Sequence, residues 1–214
     1  MPDLPREHSR RRFKFSRQWI VASISLVLTG CTNPTPILYP SPSPETSHSQ
    51  ASSALTVLLT PVDTSGFASD VKAQYGLDIS SYFTAFELQL VNQSNQPVRF
   101  ESQKISLIDA RGKSQQALTE EESIDYYRYG DLGPDGAVVL LSKPVTIMRT
   151  EIEQIRRLHI RSATLLPGET HKGMVLFKRI GRDQCHNMHV QIQGITFAEA
   201  AGSKDVDVAF TCEN

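Results

Sequence analysis

The strongest constraint in this chain is an apolar period of two. In "MHVQIQGITF" (188–197), Met188, Val190 and Ile192 alternate with His189, Gln191 and Gln193. Successive side chains of a strand point to opposite faces, so this pattern marks a strand buried on one side. "DVDVAFTC" (205–212) repeats it, with Val206, Val208, Phe210 and Cys212 on one face. "YFTAFELQLVN" (82–92) sets Phe86, Leu88 and Leu90 against Glu87 and Gln89. Further strands are expected in "LTVLLTPV", ended by Pro61, and in "HIRSATLL" and "HKGMVLFKRI", which flank the turn "PGET". In "VRFESQKISLID" (98–109) the apolar positions switch phase between Phe100 and Ile105, which predicts a bulge or break near Ser102. "NQSNQP" and "DARGK" have the composition of turns. About seven strands joined by tight turns predict a mainly β fold, an antiparallel immunoglobulin-like β-sandwich with one or two short inserted helices. The antibody Cys…Trp…Cys signature is absent.

The helices are expected in the middle of the chain. "LTEEESIDYYRYG" carries Thr119 and Glu122 at capping-box spacing and Gly130 as a stop. Its acidic run complements the helix dipole and needs no cation to explain it. Around "TEIEQIRRLH" (150–159), Met148, Ile152 and Ile155 recur at helical spacing. "GPDG" (133–136) reads as a loop, and the following "AVVLL" is ambiguous.

The first thirty residues have a different character. Six cations stand against Asp3 and Glu7, and "WIVASISLVLTG" (19–30) follows as a short apolar run. That run is shorter than the roughly 20 residues a spanning helix needs. A basic segment, a short apolar core and small residues at its end form a secretory signal pattern. From Cys31 onward 16 basic and 21 acidic residues remain, interspersed, so no basic face for nucleic acid is expected.

"LTGC", Leu28-Thr29-Gly30-Cys31, resembles the lipobox of bacterial lipoproteins. The resemblance implies removal of 1–30, diacylglyceryl attachment to the Cys31 thiol and acylation of its new amino group. Two or three acyl chains hold a protein on a bilayer where one does not. By the same resemblance, Thr32 rather than Asp after the cysteine implies the outer membrane if the host has two. "SRRRFK" (9–14) is similar to a twin-arginine export signal, with Lys14 where that pattern prefers an apolar residue, so the export route stays open. The segment 31–54, "CTNPTPILYPSPSPETSHSQASSA", is expected to be a lipidated start and a Pro/Ser-rich linker. Fully extended it reaches ~70 Å, and as a coil roughly 26 Å. Pro36 and Pro40 bracket "ILY" and argue against a strand there. The sandwich domain is expected over 55–214. Within it "LLPGETHKGMVLF" resembles a hairpin of small exported bacterial β-sandwich domains, which implies a fold and no activity.

Cys185 and Cys212 are left as an even pair, which in an exported domain reads as a disulfide. Such a loop closure contributes about 3.6 kcal/mol in the chain-entropy model. Strict alternation would turn Cys185 away from Cys212, so Cys185 is expected in the loop before its strand. "CHNMH" offers Cys185, His186, Met188 and His189 as soft donors for copper, though a regular strand would split them between two faces. The chain contains no nucleophile elbow, phosphate loop, zincin motif or dinucleotide fingerprint. The expectation is therefore a lipid-anchored, non-enzymatic envelope protein without a cofactor, which binds another envelope protein or supports an assembly. The alternatives are a copper-handling lipoprotein using the 185–189 cluster and, further off, a hydrolase with a dispersed site.

Overall fold

The structure, a computed structural model, describes residues 38–40, 54–62, 68–130, 144–181, 184–198 and 203–212. The expected signal segment 1–30, Cys31, "GPDG" and "AVVLL" lie outside the described residues. Ten strands are described: β1 Leu38–Pro40, β2 Leu55–Pro61, β3 Phe83–Asn92, β4 Val98–Phe100, β5 Ile105–Ile108, β6 Ser114–Gln116, β7 Ala163–Leu165, β8 Thr170–Lys178, β9 Met188–Phe197 and β10 Ser203–Cys212. The three α-helices are α1 Ala68–Tyr75, α2 Glu120–Tyr129 and α3 Val145–Leu158.

Two antiparallel sheets form a β-sandwich. One runs β2-β3-β8; the other runs β1-β10-β9-β4-β7, with β5 also on β9 and β6 on β5. In immunoglobulin lettering β2, β3 and β8 stand as A, B and E, while β5, β9 and β10 stand as C, F and G. The connectivity is immunoglobulin-like, as the alternation predicted. β9 has the bounds read from its sequence, and Met188, Val190 and Ile192 are all fully buried. Between the sheets Phe86 packs on Phe210 at 4.9 Å and on Phe177 at 6.0 Å between ring centroids.

The predicted break is a 3₁₀ turn, Ser102–Lys104, which separates β4 from β5 while both pair with β9. Across from it β9 has its own irregularity. Gly194 adopts φ 67°, and the register with β10 shifts between Lys204 and Val206. A left-handed residue at such a bulge favours glycine.

Three sequence expectations need correction. The strand count exceeds seven because 98–109 divides into β4 and β5, and because β1 and β6 are three-residue pieces too short to show any period. The linker expected over 31–54 contains a strand, since Leu38, Tyr39 and Pro40 pair with Cys212, Thr211 and Phe210. β1 is the outermost strand of its sheet, the position where a proline's missing N–H is tolerated. Among the described residues there are also three α-helices rather than one or two; α1 shows no apolar face from which to be read.

α2 carries the full capping box, Thr119 accepting from Glu122 N and Glu122 accepting from Thr119 N, and ends at Gly130. α3 starts five residues before the expected Thr150, directly after Pro144, and buries Ile152 and Ile155. Together with the 3₁₀ turn Ile79–Ser81, these helices bring Leu77, Ile79, Ile124, Tyr127, Ile152 and Ile155 onto the outer face of the β2-β3-β8 sheet. The residues they cover there are Phe83, Ala85, Met174 and Leu176. That is why β8 loses its alternation and stays buried on both faces from Met174 to Phe177.

The stretch holding α2 and α3 begins and ends on the free edge of β8. Leu118 N donates to Leu176 O and Ile160 N donates to Met174 O. The chain passes so close that a Cβ on Gly173 would meet Ile160 Cα at 2.8 Å. Glycine in the small-apolar-apolar-Phe strand is therefore a steric requirement.

Candidate functional site

The structure does not bring the proposed soft donors to one place. Cys185 is buried and disulfide-bonded, in the irregular segment before β9, where Asn187 with φ 54° turns the chain. Cys31 and the side chain of Cys212 lie outside the described residues. Met188 points into the sandwich and is fully buried. His189 is on the opposite, outer face, with Nδ1 3.0 Å from Asp207 Oδ1, while Gln191 donates to the other oxygen of Asp207 at 3.1 Å. His186 is half-buried in the turn. Among the described residues no three His, Cys, Asp or Glu side chains converge as a metal site.

Among the described residues a concavity lies where α2 and α3 join the sheets. A cavity of 190 Å³ is lined by Ser102, Leu118, Thr119, Glu120, His159 and Arg161, among others. A wider one of 430 Å³ runs along Arg99, Glu101, Ala163 and Thr164. The two share Gln103 and Ser162, so they form one groove that ends beside β7. β7 pairs on one side only, with β4.

Each wall has a local origin. The break between β4 and β5 brings Ser102 to Ser162: Ser102 N donates to Ser162 Oγ at 2.9 Å, and the two hydroxyls lie 3.2 Å apart. Arg99 and Lys104 pair with Glu101 at 3.2 and 3.0 Å. The hydrogen bond from Lys104, aided by its charge and that of Arg99, holds the Glu101 carboxyl below its ordinary range. On the other side Arg161 pairs with Glu120 at 2.9 Å, and Arg156 stands 3.8 Å from the same carboxylate. Both acids of the groove are thus paired with cations.

His159 closes the floor. It is buried, with Nδ1 2.8 Å from Ile160 O and Nε2 2.8 Å from Leu118 O. Each nitrogen stands at hydrogen-bonding distance from a backbone carbonyl, and the one that carries the proton donates, so the ring bridges the start of the helical stretch and its end. It is not placed to take a proton from Ser102 or Ser162. The groove presents hydroxyls, amides and charge pairs suited to hydrogen-bonding a polar chain. Sequence reading missed it because its residues come from three separate segments, none with a motif that points to a groove.

No family model matches this chain, and no curated protein is similar to it in sequence. Among solved structures, one that is similar is described as a functionally unknown protein from Listeria monocytogenes EGD-e. It shares 12% identity over 75% of this chain and 79% of that chain, with a TM-score of 0.37. At that distance the likeness carries no argument. No helix among the described residues is long and apolar enough to cross a membrane.

Proposed function

We propose that this is a lipid-anchored protein of the bacterial cell envelope, held at Cys31 and most at home on an outer membrane where the host has one. Its sandwich acts as a non-enzymatic binding or assembly module for another envelope protein. The observation that carries the binding role is the groove beside the edge of β7 that no described strand pairs. A neighbouring chain in extended form would meet both backbone groups on the strand edge and side-chain donors on the groove walls. Export is supported by the disulfide at Cys185, a bond that belongs to oxidising compartments. Cys212 is the partner we assign to it, because β10 carries that residue two positions beyond Phe210, which stands opposite Met188.

A photo-reactive residue placed at Thr164, in the groove, and another at Gln193, on the outer face of β9, test this reading in the native envelope. Capture of a defined partner from Thr164 and not from Gln193 is expected; identical capture from both positions overturns the site. Metabolic labelling with a palmitate analogue tests the anchor, and label retained in Cys31→Ala overturns it.

A further inference from the structure

In the larger sheet one end is shared by the start of β1, the end of β10, the start of β9, the end of β5 and the start of β6. The register fixes this: Leu38 stands opposite Cys212, Phe210 opposite Met188, and Ile108 opposite both His189 and Ser114. The turn 109–113 closes β5 onto β6 at this end and carries Arg111 and Lys113, both exposed. Ala110 N donates to Gln184 O at 3.2 Å. A cavity of 180 Å³, lined by Asp109, Lys113, Lys178, Arg179 and Gln184 among others, joins this turn to the end of β8. Arg111, Lys113, Lys178 and Arg179 therefore share one end of the sandwich. Of the described acids there, Asp109 is folded into its own turn, accepting from Arg111 N and Lys113 N at 2.9 Å each. Asp78, near Ser81 and Arg179, accepts from the Ser80 hydroxyl at 2.9 Å.

The same end receives the chain from Cys31. Because Leu38–Pro40 is paired in the sheet, only residues 32–37 separate Cys31 from the domain. At full extension that leash spans ~25 Å. Had the chain joined the domain at Leu55, the leash would have reached ~70 Å.

The geometry points to a docked orientation on the membrane, resting on the reading of Cys31 as the lipid anchor. The short leash holds the β1–β10 end of the sandwich against the bilayer, and the exposed Lys113 and Lys178 engage the phosphates of anionic phospholipid headgroups. The opposite end, with the turn 93–97, faces away. Salt weakens the headgroup contact, since exposed charges are screened over roughly 8–10 Å.

The test uses the full chain purified from membranes and reconstituted in phosphatidylcholine vesicles containing phosphatidylglycerol. Fluorophores are placed on Ser114→Cys, at the basic end, and on Asn95→Cys, in the opposite turn; both positions are exposed. They stand about ten strand residues apart, roughly 30 Å. Energy transfer to a headgroup acceptor is expected to be severalfold stronger from 114 than from 95. The combined variant Lys113→Glu, Lys178→Glu should lose most of that ratio. Equal transfer from the two positions in an acylated chain overturns the orientation and leaves the anchor standing. A ratio unchanged by charge reversal overturns the headgroup contact. Mass spectrometry finding Cys31 unacylated removes the anchor reading, and this inference with it.

Discussion

The two hydrophobic cores of this protein are built on different principles. Between the sheets, Phe86, Leu88, Phe100, Val190, Ile192 and Phe210 form an interior of apolar side chains contributed by strands far apart in sequence. On the outer face of the β2-β3-β8 sheet, the helices enclose a second core in which polar groups are buried as well. Tyr127 donates to Glu151 Oε2, Ser123 is wholly buried, and His159 spans two carbonyls. The first core depends on shape and apolar area; the second also depends on the hydrogen bonds that its buried polar groups make. A buried donor or acceptor left unmet costs more than a made hydrogen bond contributes.

That contrast can be broken at its strongest point first. Phe86→Ala removes a ring that packs on both Phe177 and Phe210, and should cost about 3–5 kcal/mol in urea unfolding. A loss below about 1 kcal/mol would mean that the sandwich interior tolerates cavities and is less closely packed than its burial indicates. In the helical layer Tyr127→Phe preserves shape and removes the donor to Glu151. The expected cost is about 1–3 kcal/mol, measured the same way. If this variant unfolds like the parent, the helical layer is held by shape alone and the contrast fails. The smallest effect sharpens the comparison by its opposite sign. The Ser123 hydroxyl has no hydrogen-bond partner among the described residues. Ser123→Ala should therefore stabilise the protein by about 1 kcal/mol.

The two cores also differed in how much of them sequence reveals. Where one face of a strand meets solvent, alternation survives, and β9 could be bounded to the residue. The break at Ser102 was visible as a phase change, and the α2 cap as Thr119 with Glu122. Burial on both faces erases that signal. Phe83–Phe86 and Met174–Phe177 read simply as apolar because helices cover their second face, a relation set by residues far away in the chain. β1 was missed for another reason. Proline argued against a strand, yet an edge position makes little use of the N–H that proline lacks. The groove gave no local warning at all, since its lining comes from the 99–103, 117–120 and 159–164 segments.

The donors Leu118 and Ile160 reach carbonyls two residues apart on β8. The described elements between them, α2 and α3, lie outside the sandwich, and the His159 imidazole bridges the two ends of the stretch. Chain closure at that seam is independent of what the excursion contains, so helices can be lengthened, shortened or exchanged there without shifting the register of any strand. A replacement must still shelter Phe83, Ala85, Met174 and Leu176 from water. A grafted replacement for the helical cassette is therefore expected to leave the strand register unchanged only if it covers those four side chains.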